Sequence, residues 1–148
     1  MSAVAIDTPR LSSVVMHEYE SSTQYCRDVI VVNEASQLEF AIGTVLGKVT
    51  ATGNYKRVEA TATDGSEVAA AIYLSAKDGS FGTSTIAATT DTSVIALVRG
   101  NAIVSKAGLV FGASVNTAPE LATAYDQLAA VGILCRDQIG SFPTIAAS

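Results

Sequence analysis

The chain of 148 residues carries a formal net charge of −5, is 49% apolar yet only 6% aromatic, and contains no Trp. Its length suits one compact domain, or one domain with an arm. Its nine Lys and Arg form no basic stripe that could neutralise phosphates, which excludes nucleic acid as a partner.

The apolar residues are largely Ala, Val and Ile, which favour closely packed strands and leave little to line an aromatic ligand pocket. Asp7, Pro9 and Arg10 interrupt any apolar leader. The longest apolar runs, such as 68–74, fall far short of the roughly 20 residues a membrane helix needs. The expectation is folding in the cytoplasm with no membrane partner.

Along the chain, residues 1–25 differ from the rest. Ser, Thr, Glu and Asp break every apolar pair, and the island Ser13-Val14-Val15-Met16 can form a strand only if it finds a neighbour. This segment reads as an arm, with a β-rich body over 26–136 and a loose tail over 137–148.

The body opens with the β-prone run 28–32, closed by a turn at 33–36. Leu38, Phe40 and Ile42 alternate with Glu39 and Ala41, as in a half-buried strand. A glycine-punctuated strand spans 44–50. A turn at 52–54 leads into 55–58, and Asp64-Gly65 marks a hairpin-type turn. Residues 67–74 read as a continuous apolar strand covered on both faces. A loop at 77–82 and a Thr-rich stretch to Asp91 precede a buried strand at 92–98. Further strands are expected at 102–104 and 109–111.

The helix is the clearest element. Thr117-Ala118-Pro119-Glu120 has capping-box spacing, with Pro119 in the first turn. Leu121, Ala124, Tyr125, Leu128 and Val131 form one stripe, and Gly132 ends it. Residues 133–136 read as a final strand. The class is mainly β with one short late helix, an α+β domain.

A search for chemistry finds no catalytic, cofactor or metal site. His17 is the sole histidine and falls in the arm, where preorganisation is lacking. The stretch 43–50 fails as a phosphate loop: three residues, where four are needed, separate Gly43 from Gly47, and Val49 replaces the Ser or Thr. Asp64 and Glu67 lack the further oxygens of a calcium loop. Arg99 is expected to pair with a carboxylate or to lie across a subunit boundary. Cys26 and Cys135 read as buried free thiols, and sequence does not exclude their pairing.

Four ordered blocks carry a resemblance. They are Ala41-Ile-Gly-Thr-Val-Leu-Gly-Lys-Val-Thr-Ala-Thr-Gly-Asn-Tyr55, Thr63-Asp-Gly-Ser-Glu-Val-Ala-Ala-Ala-Ile-Tyr73, Val94-Ile-Ala-Leu-Val-Arg-Gly100 with Ala102-Ile-Val104, and Leu128-Ala-Ala-Val-Gly-Ile-Leu-Cys-Arg136. In this order and spacing the chain resembles the lambda-type bacteriophage head decoration protein family over about residues 14–136. The loop at 77–91 is longer and richer in Thr than that family's pattern, and the tail has no counterpart.

The resemblance implies a homotrimer that binds the major capsid protein at three-fold positions outside an expanded phage head. It also implies an N-terminal arm that adds a strand to the capsid protein. Val14, Val15, Met16 and Tyr19 are the expected capsid-contact residues. The competing reading is a small β-rich module that recognises a sugar or peptide through its loops, with a pocket near 77–81.

Overall fold

The computed structural model describes residues 14–18, 26–77, 84–112 and 114–136. Among them the chain runs β1 (Val15–Glu18), β2 (Arg27–Val32), β3 (Leu38–Phe40), β4 (Val45–Lys48), β5 (Tyr55–Arg57), β6 (Ala69–Ala76), β7 (Ser84–Ile86), β8 (Thr92–Leu97), β9 (Ala102–Ser105), α1 (Ala118–Ala130) and β10 (Ile133–Arg136). The architecture is mainly β with a single helix near the C-terminal end of the described chain.

Five strands close a small barrel in the order β2-β5-β4-β6-β8. β8 runs antiparallel to β2 from Arg27↔Leu97 to Val32↔Thr92. On the other side, β2 meets β5 through the parallel pair Val32↔Tyr55. β1, β9 and β10 form a separate sheet in the order β1-β9-β10, and β3 pairs with β7 as a two-stranded ribbon.

β6 organises the interior because alternate side chains of a strand point to opposite faces. Ala71 and Tyr73 enter a barrel cluster with Phe40, Leu46, Ile86 and Val94. Ile72 and Leu74 enter a second cluster, shared with Val104, Leu128 and Ile133. Tyr73 meets Phe40 edge-on at 5.6 Å between ring centroids, and its hydroxyl hydrogen-bonds Ser84 Oγ. The two-faced burial expected for 67–74 is therefore present, although regular pairing begins at Ala69.

The helix follows its sequence signals. Thr117 Oγ1 accepts from the Glu120 amide, while Glu120 Oε1 accepts from the Thr117 amide at 3.2 Å. Ala124 and Leu128 are buried, Leu121 packs against the same cluster, and Val131 emerges at the end. Gly132, at φ +91°, takes the left-handed conformation that ends a helix. A methyl group on Gly100 would overlap the Gly132 carbonyl, so the β8–β9 turn and the helix end touch backbone to backbone.

Three expectations are corrected. The segment expected to be an arm as far as residue 25 contains β1, which pairs antiparallel with β9 (Val15↔Val104, Glu18↔Ala102), and Val14 is fully buried. The apolar island thus found its neighbour within the chain, and 14–18 belongs to the body. The Asp64-Gly65 turn does not join paired strands, because β4 lies between β5 and β6; the Asp64 carboxylate instead holds the turn through the Ser66 amide. Residues 109–111 form no strand, since a 3-10 turn at Lys106–Gly108 leaves only the isolated bridge Thr44↔Val110. β7 was missed altogether. The tail, and the loop over 78–83, lie outside the described residues.

Leu74→Ala should cost about 2–5 kcal/mol, as expected for truncating a wholly buried leucine, whereas Val29→Ala on the exposed barrel surface should stay within about 0.5 kcal/mol. Urea denaturation of both variants checks this contrast.

Candidate functional site

β1 is the first element of the described chain and an edge strand, with β9 as its only strand partner among the described residues. Val14 anchors its start in the core, and Val15 packs partly against the same cluster. A register shift between Val15 and His17 bends it, which is how edge strands are commonly re-aimed.

At the far end, Glu18 is buried beneath Arg27 in a two-pronged ion pair. Arg27 Nε donates to Glu18 Oε2 at 2.7 Å, and Nη2 donates to Oε1 at 2.9 Å. The side chains are only 5% and 15% exposed, so losing one partner would strand a buried charge. β1 is thereby fixed to the first residue of β2 as well as to β9. Among the described residues no strand pairs with its outer row of backbone groups, the usual template for a further strand.

Of the expected contact residues, the structure places Val14 in the core, Val15 at its margin and Met16 on β1; Tyr19 lies outside the described residues. His17 sits opposite Ile103.

Several titratable groups are tied into hydrogen bonds that hold the fold together. Glu59 accepts from Ser114 and Arg57; burial opposes its ionisation, but these hydrogen bonds outweigh that and lower its pKa. Hydrogen bonds from Ser66, then the Lys56 ammonium, hold Asp64 down to about 2. Arg99 donates to Asp28 at 3.2 Å, which is the carboxylate pairing expected of it. Cys26 is buried, with its Sγ donating to the Asn101 carbonyl at 3.7 Å, and Cys135 is half-buried; the two form no disulfide. Burial pushes the Cys135 thiol up to about 11, away from the thiolate a nucleophile requires. Among the described residues, no three of His, Cys, Asp and Glu converge to hold a metal.

A family model for the bacteriophage lambda head decoration protein D matches residues 6–133. The chain belongs to that family. It is accordingly a structural protein of the phage virion that decorates the head. No curated protein matches the chain. The match starts upstream of β1 and ends at the first residue of β10, so it takes in the barrel, the helix and most of the small sheet.

One buried carboxylate gives this decoration protein a measurable pH response. Glu34, at the end of the barrel, accepts from the Arg57 amide at 2.5 Å, and burial raises its pKa. A raised folded-state value means the native state binds the proton more tightly, so stability falls as pH rises through the window above the ordinary carboxylate range. Glu34→Gln should make the protein more stable near neutral pH, with the advantage shrinking as pH falls through the window above about 4.5 and levelling off below it. Thermal melts of both proteins across pH 4–8 measure it.

Proposed function

We propose that the chain is a trimeric cement protein, which binds the outer surface of the expanded head at local three-fold positions and stabilises the shell against internal DNA pressure. Its partners are the major capsid protein and further copies of itself, and it assembles in the host cytoplasm. The family match over 6–133 carries the reading. The unpaired edge of β1 supports a physical route for it.

In this reading the segment before Val14 and the outer edge of β1 together meet the capsid protein, and β1 sets where that segment leaves the body. Val14 and Val15 act as its anchor, while Met16 and Tyr19 lie along the contact. Strand addition of this kind gains roughly 0.5–1.5 kcal/mol per backbone hydrogen bond, opposed by the entropy of ordering the added segment. One such contact is weak. Three on one trimer convert later contacts into intramolecular ones, with avidity gains of about 10²–10⁴-fold.

Cementing then follows from linkage. A ligand that binds only the expanded lattice stabilises it by RT ln(1 + [L]/Kd) at each site, and the shell has many sites. No chemistry is required.

The burial of Val14 and the Glu18–Arg27 pair place the informative truncation before residue 14. A chain lacking residues 1–13 should stay folded and trimeric in solution but fall at least about tenfold in binding to expanded heads, read by cosedimentation. Undiminished binding would refute the role of this segment.

A further inference from the structure

β10 is the other edge of the β1-β9-β10 sheet, with β9 as its only strand partner among the described residues. Its side chains alternate. Ile133 is buried and Cys135 half-buried in the cluster that α1 shares, which turns Leu134 and Arg136 to the opposite face. Leu134 is 50% exposed, and so presents its isobutyl group to the surface. Arg136 is exposed too and makes no ion pair among the described residues. An apolar knob and a cation thus stand two residues apart on one face of an unpaired edge.

The same chain carries a hole of matching character. A cavity of about 230 Å³ lies beside the N-terminal part of α1, with Val58, Val115 and Ala124 among its lining residues. Glu67 and Glu120 also line it, and no Lys or Arg does. Each glutamate engages one oxygen locally. Glu67 Oε1 accepts from the Gly65 amide at 2.9 Å, and Glu120 Oε1 accepts from the Asn116 and Thr117 amides at 3.0 and 3.2 Å. Glu67 Oε2 has no hydrogen bond among the described residues, and the Glu120 carboxylate has the Thr117 hydroxyl beside it as well. The cavity therefore suits an aliphatic side chain followed closely by a cation.

Leu134 cannot fill the cavity of its own chain, because it points away from the cluster that joins β10 to α1, whose residues line the hole. We propose that the cavity receives Leu134 of a second copy, and that the same copy's Arg136 pairs with Glu67 and Glu120. The donor and acceptor surfaces differ, so the junction is head-to-tail, and repeating it closes a ring when the rotation permits. This inference rests on the trimeric reading above, which sets the ring at three. Burying the leucine supplies the attraction, and the Arg–Glu contact fixes register between copies that each carry net negative charge.

The test uses the full chain and light scattering coupled to size-exclusion chromatography. Leu134→Asp removes the knob, and Ala60→Trp, at an exposed cavity-lining position, plugs the hole. Each variant should raise the trimer's apparent dissociation constant at least about a hundredfold, as losing a central anchor does. An equimolar mixture of the two should give dimers, since one intact knob then meets one intact hole and no second junction can follow. Should Leu134→Asp fail to fold by circular dichroism, a charge swap decides the question: Arg136→Glu should weaken the trimer, and Glu67→Lys in the same chain should restore it. Trimers that persist in either knob or hole variant, a mixture with no dimer, or an Arg136→Glu protein that assembles normally would overturn the proposal. A wild-type chain that is monomeric throughout would instead overturn the trimeric reading on which it rests.

Discussion

β6 must be covered on both faces, and that requirement places most of the other elements. Four side chains in succession, Ala71, Ile72, Tyr73 and Leu74, are fully buried, which a strand achieves only when layers pack against it from each side. On one side the barrel closes around Tyr73 and Phe40. On the other, α1 and the small sheet bring Leu128, Val104 and Ile133 against Ile72 and Leu74. The scarcity of large aromatic residues is compatible with this plan, because two thin cores of Ala, Val, Ile and Leu need close approach more than bulk. The glycines at close backbone crossings serve that need. A side chain on Gly47 would collide with the Ser66 backbone, as one on Gly100 would with Gly132.

Closing the barrel gives each of its five strands two partners, so among the described residues the strands with a single partner lie in the small β1-β9-β10 sheet and the β3-β7 ribbon. β1 leads out of the segment that precedes Val14, and β10 presents Leu134 and Arg136. One stable body can thereby offer two separate outlets for association. In the reading developed above, the first is directed at the shell and the second at neighbouring copies. The Glu18–Arg27 pair matters here because it holds β1 in place, while no described strand pairs with its outer edge. A strand that detached from β9 could not direct the leading segment reproducibly.

Much of this was legible in the residues. The alternation around Leu38 and Phe40, the apolar run through Leu74 and the capping box at Thr117 each encode local structure directly, and the structure contains all three. The family was legible only from four blocks in order, since each alone is an ordinary strand or turn. Position 14 was misread because local composition there is polar; what buries Val14 is β9 and the core, nearly ninety positions on, and a single-sequence pattern cannot see such pairing. The same holds for Ser84, Thr85 and Ile86. Their strand exists because β3 needs a partner, and their Thr-rich surroundings suggested only loop. Conversely, the run at 109–111 looked like a strand by propensity, but the 3-10 turn before it leaves Val110 a single bridge to Thr44. The cavity beside α1 had no sequence signal, because Val58, Glu67, Val115 and Ala124 converge only after folding.

The account stands or falls on whether the outer edge of β1 becomes occupied when the protein meets a head. Hydrogen–deuterium exchange of β1, compared between the free chain and the chain bound to expanded heads, reads this directly. Amides in Val15–Glu18 that face away from β9 should exchange readily in the free protein and slow markedly on the head. If they exchange equally fast in both states while the protein remains bound, the shell is engaged elsewhere, and strand addition at this edge is wrong.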